Sequence, residues 1–303
     1  ALEVKERKLN MLAYRKIPLH VSGTTFSGTK QTTKNIKDII PHIAMDSKIG
    51  NLPVSQIDLD QIHSTADEID TYFGNTYCSE FSYTFDSDNL SFEEIISTVT
   101  NSVFCTAYRR GSKLKLSFEK EQDTSTILFN HRNKIPNTEI RTVSFGNFSD
   151  NDGIEFEYVS PQDDAVVTIY RPEDQSAVNP KKIESVGIRN ATQAAIQADR
   201  LYNKIRYQNQ TIEFDSTSEG NVAVRNDRIL VTDGTRSGSF EGEVIAQNVL
   251  ELTLSQDLDL SDSKTYTIFL QMYDGRTESI PITKTSTPNK ILLNQVPSLP
   301  LVI

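Results

Sequence analysis

Residues 187–207 read GIRNATQAAIQADRLYNKIRY, and this stretch decides the architecture. Asn190 is a residue type that caps helix N-termini, and Gln193, three positions on, stands where a capping box has its second member. Behind them Ala191, Ala194, Ala195, Ala198, Leu201, Tyr202 and Ile205 recur at the helical period, which predicts an amphipathic helix. Its alanines would let it pack close to a neighbouring backbone. Downstream the pattern is all strand. Short apolar-alternating runs at Thr211–Phe214, Asn221–Val224, Arg228–Val231, Gly238–Ile245, Val249–Leu254, Tyr266–Leu270 and Glu278–Ile282 are separated by Asp, Gly and Ser turns. That spacing predicts a small antiparallel β-barrel or sandwich.

Upstream, helices and strands mix. Strands are expected at Lys113–Phe118, Thr126–Phe129, Glu139–Phe145, Ile154–Val159 and Val166–Tyr170, with a hairpin turn at Asp150-Asn151-Asp152-Gly153. Ser91 and Glu94 form a capping box ahead of Phe92, Ile95, Ile96, Val99 and Val103, the clearest helix of the first half. Asp58 and Gln61 open an earlier helix with the stripe Ile62, Ala66, Ile69, Phe73, and Gly74 ends it. Phe81, Tyr83 and Phe85 alternate as a half-buried strand before the turn Asp86–Asn89. A short helix is expected over Thr33–Ile40, stopped by Pro41. Residues 1–30 read as extended, with Leu9, Met11, Ala13 and Ile17 in loose alternation.

These elements predict the fold class α+β. The expected division is 1–32, an extended segment from an upstream domain; 33–187, a mixed α+β domain; 188–285, a helix plus β-barrel; and 286–303, a linker to a downstream domain. A chain of 303 residues fits about two domains. Both ends, Ala1 and the apolar run Leu299–Ile303, are expected to be cut points in a longer polypeptide.

Composition narrows the function. Net charge is −10, opposite in sign to the basic excess that neutralises phosphates, and no Lys/Arg cluster with interleaved aromatics stands out. No apolar run approaches the ~20 residues of a membrane-spanning helix, and Ala1–His20 has no apolar h-region of a signal peptide. Cys78 and Cys105 form no disulfide framework; two buried free thiols are the ordinary reading and a disulfide is the alternative.

Catalysis requires side chains that converge. His20, His42, His63 and His131 stand in no recognisable frame, and no nucleophile elbow, zinc-protease helix, P-loop or C-x-x-C is present. Glu93 and Glu94 are the acids a glycosidase would use, but a helix N-terminus explains both; Asp163 and Asp164 lie in a turn. Asp86, Asp88 and Asn89, or Asp150, Asn151 and Asp152, offer oxygen ligands to calcium without EF-hand spacing, and Asx-rich turns produce such runs more often. Tyr72, Phe73, Tyr77, Phe81, Tyr83 and Phe85 could form a sugar-binding platform, although core and interface packing is the commoner use. The expectation is therefore no enzyme, no catalytic residues, no cofactor and no metal.

Several of these motifs, in this order, resemble the phage tail-tip attachment (host-specificity protein J) family over roughly residues 55 to 285. They are the helix closing on Tyr77-Cys78, the capped helix Ser91–Thr106, Arg110-Gly111-Ser112-Lys113-Leu114, Asp152–Tyr158 with Val159-Ser160-Pro161, and Gly187–Ala194 with Arg200, Leu201 and Arg206 following. Where the family has a Pro-Gly-Asp turn, this chain has Arg225-Asn226-Asp227; Asn tolerates positive φ, so the turn should survive. Residues 1–54 match poorly. The resemblance implies a hub that caps the tail tube and supports host attachment and DNA ejection. It also implies a homotrimer contacting tail tube, distal tail and tape-measure proteins, and a host receptor met by sequence beyond Ile303. The implied location is the virion tail tip, after synthesis in the bacterial cytoplasm. The alternative is a receptor- or carbohydrate-binding module of a tail fibre or adhesin.

Overall fold

In the computed structural model, residues 13–85, 90–143, 151–232 and 239–301 are described. The fold is α+β, and the chain alternates between two units. One comprises Ala1–Phe118 and Gly146–Gln208, the other Glu119–Phe145 and Asn209–Ile303. The first opens with β1 (Lys16–Ile17), β2 (His20–Ser22), β3 (Thr25–Phe26), β4 (Gln31–Thr32), α1 (Ile36–Met45), α2 (Leu59–Phe73), α3 (Phe92–Ser102), β5 (Cys105–Arg110) and β6 (Lys113–Phe118). The chain then gives β7 (Ile127–Phe129) and β8 (Ile140–Val143) to the second unit. It returns to the first for β9 (Gly153–Val159), β10 (Val166–Arg171), β11 (Pro180–Glu184) and α4 (Ala191–Tyr207). The second unit is completed by β12 (Gln210–Glu213), β13 (Ile229–Val231), β14 (Val244–Asn248), β15 (Glu251–Leu254), β16 (Tyr266–Gln271), β17 (Thr277–Lys284) and β18 (Lys290–Leu293).

This course differs from the linear division expected at 187/188. Helix α4 lies in the first unit because its small face, Ala194 and Ala198, is fully buried with Ile154, Phe156 and Tyr158 of β9. The hairpin expected around Asp152-Gly153 is not formed, since β8 pairs with β12 while β9 pairs with β10 and, in parallel, with β11. Asp150 of that turn lies outside the described residues, as do Leu9, Met11 and Asp86–Asn89. The described part of 1–32 makes two small antiparallel pairs, β1–β4 and β2–β3, and buries Ile17 and His20 in the first unit. The expected linker 286–303 contains β18, which lies between β15 and β17 with Ile291 and Leu293 buried.

The first unit's larger core is built by the predicted helical stripes: Ile62, Ala66 and Ile69 of α2 with Ile95, Ile96 and Val99 of α3 and Leu114, Leu116 and Phe118 of β6. Pro41 does not stop α1. A proline inside a helix costs about 3 kcal/mol, but the turns around it bury Ile40, Ile43 and Ala44. Burial of large aliphatic side chains is worth about 1.5–3 kcal/mol each, so burial wins. Helix α3 ends at Ser102, short of the expected Thr106, because Phe104 turns left-handed at φ 63°. The following residues form β5, paired with β6 through Gly111 at φ 62°. Residues 81–85 are not a strand: Phe81 N–H donates to Lys34 O and Ser82 N–H to Gly187 O, two different segments.

Asp58 caps α2 as expected, accepting from the Gln61 N–H, and also meets Lys115 Nζ at 2.9 Å. That Lys115 hydrogen bond holds the Asp58 carboxyl below the usual carboxylate range, ahead of the opposing effect of burial. Asp58→Ala should cost about 1–2 kcal/mol at neutral pH, read as a lowered urea midpoint. A depressed carboxyl stabilises above its unfolded value and loses that contribution as pH falls through the folded one. The difference between wild type and variant should therefore shrink in acid.

In the second unit, β14–β15–β18–β17–β16 form an antiparallel sheet. Its buried side carries Leu252, Leu254, Leu270, Ile280, Ile291 and Leu293. β7 and β13 pair in parallel. Asn226 sits at φ 72° with Asp227 N–H donating to Val224 O, so the turn survives the replacement of glycine by asparagine. Asn221–Val224, expected as a strand, forms none: Asn221 and Val222 end a 3₁₀ turn over Ser218–Val222.

Candidate functional site

The acids singled out in the sequence are held by local structure. Glu94 completes the capping box: its carboxylate accepts from the Ser91 N–H at 2.8 Å and the Ser91 hydroxyl at 2.9 Å, and these bonds lower its pKa. Glu93 occupies the same exposed first turn. Asp163 accepts from Ala165 N–H, while Asp164, at φ 53°, pairs with Arg189. Asp152 accepts from the Val178 and Asn179 N–H groups at 2.7 and 2.8 Å, and Asn151 donates to Asn179 O. These bonds order a loop. Among the described residues no group of three His, Cys, Asp or Glu side chains is placed to hold a metal. Asp86, Asp88, Asn89 and Asp150 lie outside the described residues.

Both cysteines are buried free thiols. Burial, with a smaller push from Asp70, raises the Cys78 thiol to about 11, and burial raises Cys105 further. Neither has the thiolate character a nucleophile needs. His131 is exposed, 3.5 Å from Glu241. His42, on α1, has its Nε2 buried without a partner, and burial, then Arg15, lowers its pKa. The one pair of histidines the fold brings together is His20 and His63, with Nδ1 atoms 3.0 Å apart. Nothing in the sequence signalled this, because 43 residues separate them.

The aromatic stretch does not form one platform. Phe81, Tyr83 and Phe85 cluster together, and Tyr72 and Phe73 pack with Phe104 and Phe118. Tyr72, Tyr77 and Tyr83 keep exposed rings, whereas Phe81 is in the core. Within the second unit a cleft of about 300 Å³ runs past Ser125, Arg228, Phe269, Thr277 and Glu278. In it Arg228 donates to the Gln122 and Asp123 carbonyls, and Glu278 accepts from the Ser298 N–H and hydroxyl.

Among the described residues, the outer strands of the larger sheets have no further strand beside them. A sheet's outer strand presents unpaired N–H and C=O groups, and proteins usually blunt it with Lys, Pro or a covering loop. β11 follows that rule with Pro180, Lys181 and Lys182. β10, on the other side of the same sheet, reads VVTIYR and exposes Val166 (63%) and Val167. In the second unit, β14 reads VIAQN with Ile245 exposed (56%), and β16 reads YTIFLQ with Phe269 exposed. Three of these four edges thus carry apolar side chains outward, with no acidic or lysine side chain in the strand.

Among the described residues no helix is long and apolar enough to cross a membrane. The chain matches no protein-family model and no curated protein sequence.

Proposed function

We propose that this chain is a structural, non-catalytic hub of a phage tail tip, which caps the tail tube and supports host attachment and DNA ejection. Its work is assembly: it joins copies of itself, as a homotrimer, and neighbouring tail proteins, in the virion. The observation that carries the reading is the set of undefended edges. β10, β14 and β16 expose edge backbone and apolar side chains with no acidic or lysine side chain in the strand, and such edges are templates for pairing with another chain. The ordered resemblance supports the same reading. Its segments coincide with elements that fix the first unit: the box-capped α3, β9, and the Asn190-capped α4.

The test is association. Light scattering on the purified chain over rising concentration should give a trimer, and the chain should join hub-deficient tails. Ile245→Lys, on an exposed edge where folding stability should change by no more than about 0.5 kcal/mol, should shift the trimer toward monomer. A chain that stays monomeric at the highest concentration and does not join tails would overturn the reading.

A further inference from the structure

The cleft in the second unit, about 300 Å³, has the volume of a site for a small organic molecule. Ser125 and Thr277 line it, paired as an antiparallel bridge and only 4% and 7% exposed. The Thr277 hydroxyl oxygen is buried without a hydrogen-bond partner among the described residues. Buried polar atoms are nearly always paired, so each exception asks what its partner is. Three described side chains carry such an atom, His42, Ser185 and Thr277, and of these Thr277 alone lines this cleft.

Two arginines line the same cleft, and each is braced so that one edge of its guanidinium remains. Arg228 commits Nη1 to the Gln122 and Asp123 carbonyls at 2.6 and 3.1 Å, and its backbone N–H donates to Gln122 Oε1. Its Nε and Nη2 have no partner among the described residues. Those two nitrogens form the fork that grips a carboxylate with two parallel hydrogen bonds. Arg276 donates from Nε to Asp274 at 2.6 Å, which leaves its Nη1–Nη2 edge as a second fork. Acids are present too: Asp123, and Glu278, whose carboxylate accepts from the Ser298 N–H and hydroxyl. The formal charges of the lining therefore balance. A multiply charged phosphate would bring excess charge against those two acids, whereas one fork matches a single carboxylate. Phe269, 47% exposed, and Leu299 add apolar wall.

We propose that this cleft binds a small organic monocarboxylate. Arg228 and Arg276 grip the charged end, the Thr277 hydroxyl is a third donor, and the apolar body lies against Phe269 and Leu299. All of these residues belong to the second unit, so the site needs no partner copy.

Hexanoate titrated into the whole chain tests this, followed by the ¹⁵Nε resonances of Arg228 and Arg276 and the methyl resonance of Thr277. Hexanol, hexylamine and inorganic phosphate are titrated in parallel. Hexanoate should saturate with a Kd of about 1 mM, within reach of a ligand of this size. It should bind about tenfold or more tightly than hexanol, because a charge-assisted fork outweighs a neutral contact. A chain of net charge −10 attracts hexylamine in general, so a preference for the anion has to come from the arginines. Thr277→Val keeps the shape and removes the hydroxyl. That hydroxyl has no partner within the described chain, so the variant should unfold at the wild-type urea midpoint or above it, yet bind hexanoate about fivefold to tenfold more weakly. Arg276→Gln, at an exposed position, should weaken hexanoate by a similar factor and leave hexanol unchanged. Absence of saturable hexanoate binding, equal binding of hexanol, hexylamine or phosphate, or an unchanged hexanoate affinity in Thr277→Val would overturn the proposal.

Discussion

Gly187→Ala is expected to destabilise the first unit by about 2–5 kcal/mol, through two causes that add. Gly187 sits at φ 83°, in the left-handed region. An L side chain pays about 1–2 kcal/mol for that conformation. The second cause is steric. A Cβ built at this position would lie 2.1 Å from Cε2 and 2.4 Å from Cδ2 of Phe81. Phe81 is in the core at 4% exposure, so its ring has little room to move. Overpacking of this kind costs about 1–3 kcal/mol. The Gly187 carbonyl also accepts from Ser82 N–H at 2.9 Å, which ties the segment holding Phe81 to the start of α4. Urea denaturation measures the loss, and a double-mutant cycle separates the causes. With Phe81→Ala in the background the steric part disappears, so the further cost of Gly187→Ala should fall to the backbone part alone. A Gly187→Ala variant within about 0.5 kcal/mol of wild type would show that neither cause operates.

That glycine illustrates how far the sequence could be read. Its position in the run Gly187–Ala194 was legible, and so was the cap at Asn190, whose side chain accepts from Thr192 and Gln193 N–H groups. Capping boxes and helical stripes are local, so α2, α3 and α4 could be placed from residues a few positions apart. In the second unit's five-stranded sheet β14, β15, β16 and β17 were legible by alternation for the same reason, whereas β18 was read as linker. The pairing was not. β11 reads PKKIE and has no alternation; it is a strand because β9 offers it a parallel edge. β5 was hidden by the helical pattern before it, since a left-handed Phe104 has no sequence signature of the kind glycine gives. The interleaving of the two units was invisible because which sheet accepts 140–143 depends on β12, some seventy residues later in the chain. The candidate site divides in the same way. Glu94 could be assigned to its cap from its neighbours, whereas Asp152, read as part of a hairpin turn, instead accepts from the N–H groups of Val178 and Asn179 on a distant segment. The contact between His20 and His63 depends on where a hairpin lies on a helix.

Gln193→Leu should cost about 2–4 kcal/mol, for a reason the capping pattern concealed. Gln193 stands at the box position, yet its side chain does not return to the cap. It is 1% exposed, and its Nε2 donates to Glu80 O at 3.0 Å and Ser102 O at 3.1 Å, with Cys78 O at 3.5 Å. One turn on, Gln197 Nε2 donates to Asn101 O at 3.1 Å and Ser102 O at 3.2 Å. The last carbonyls of any helix lack partners within it, and those of α3 end in a buried region. Two glutamine amides four residues apart on α4 supply the missing donors. Leucine keeps the volume and removes the donor, so the half-buried Glu80 carbonyl loses its amide partner while Ser102 retains only Gln197. Each such group costs about 1–3 kcal/mol, against little gain, because the site is already closed to water. Gln193→Glu should be worse, because it turns an acceptor toward carbonyl oxygens and buries a charge. The expected order of urea midpoints is therefore wild type, then Gln197→Leu, Gln193→Leu and Gln193→Glu. A Gln193→Leu midpoint at or above that of Gln197→Leu would mean that the carbonyls of residues 78–80 find other donors, and the account of α4 as the element that closes α3 would fail.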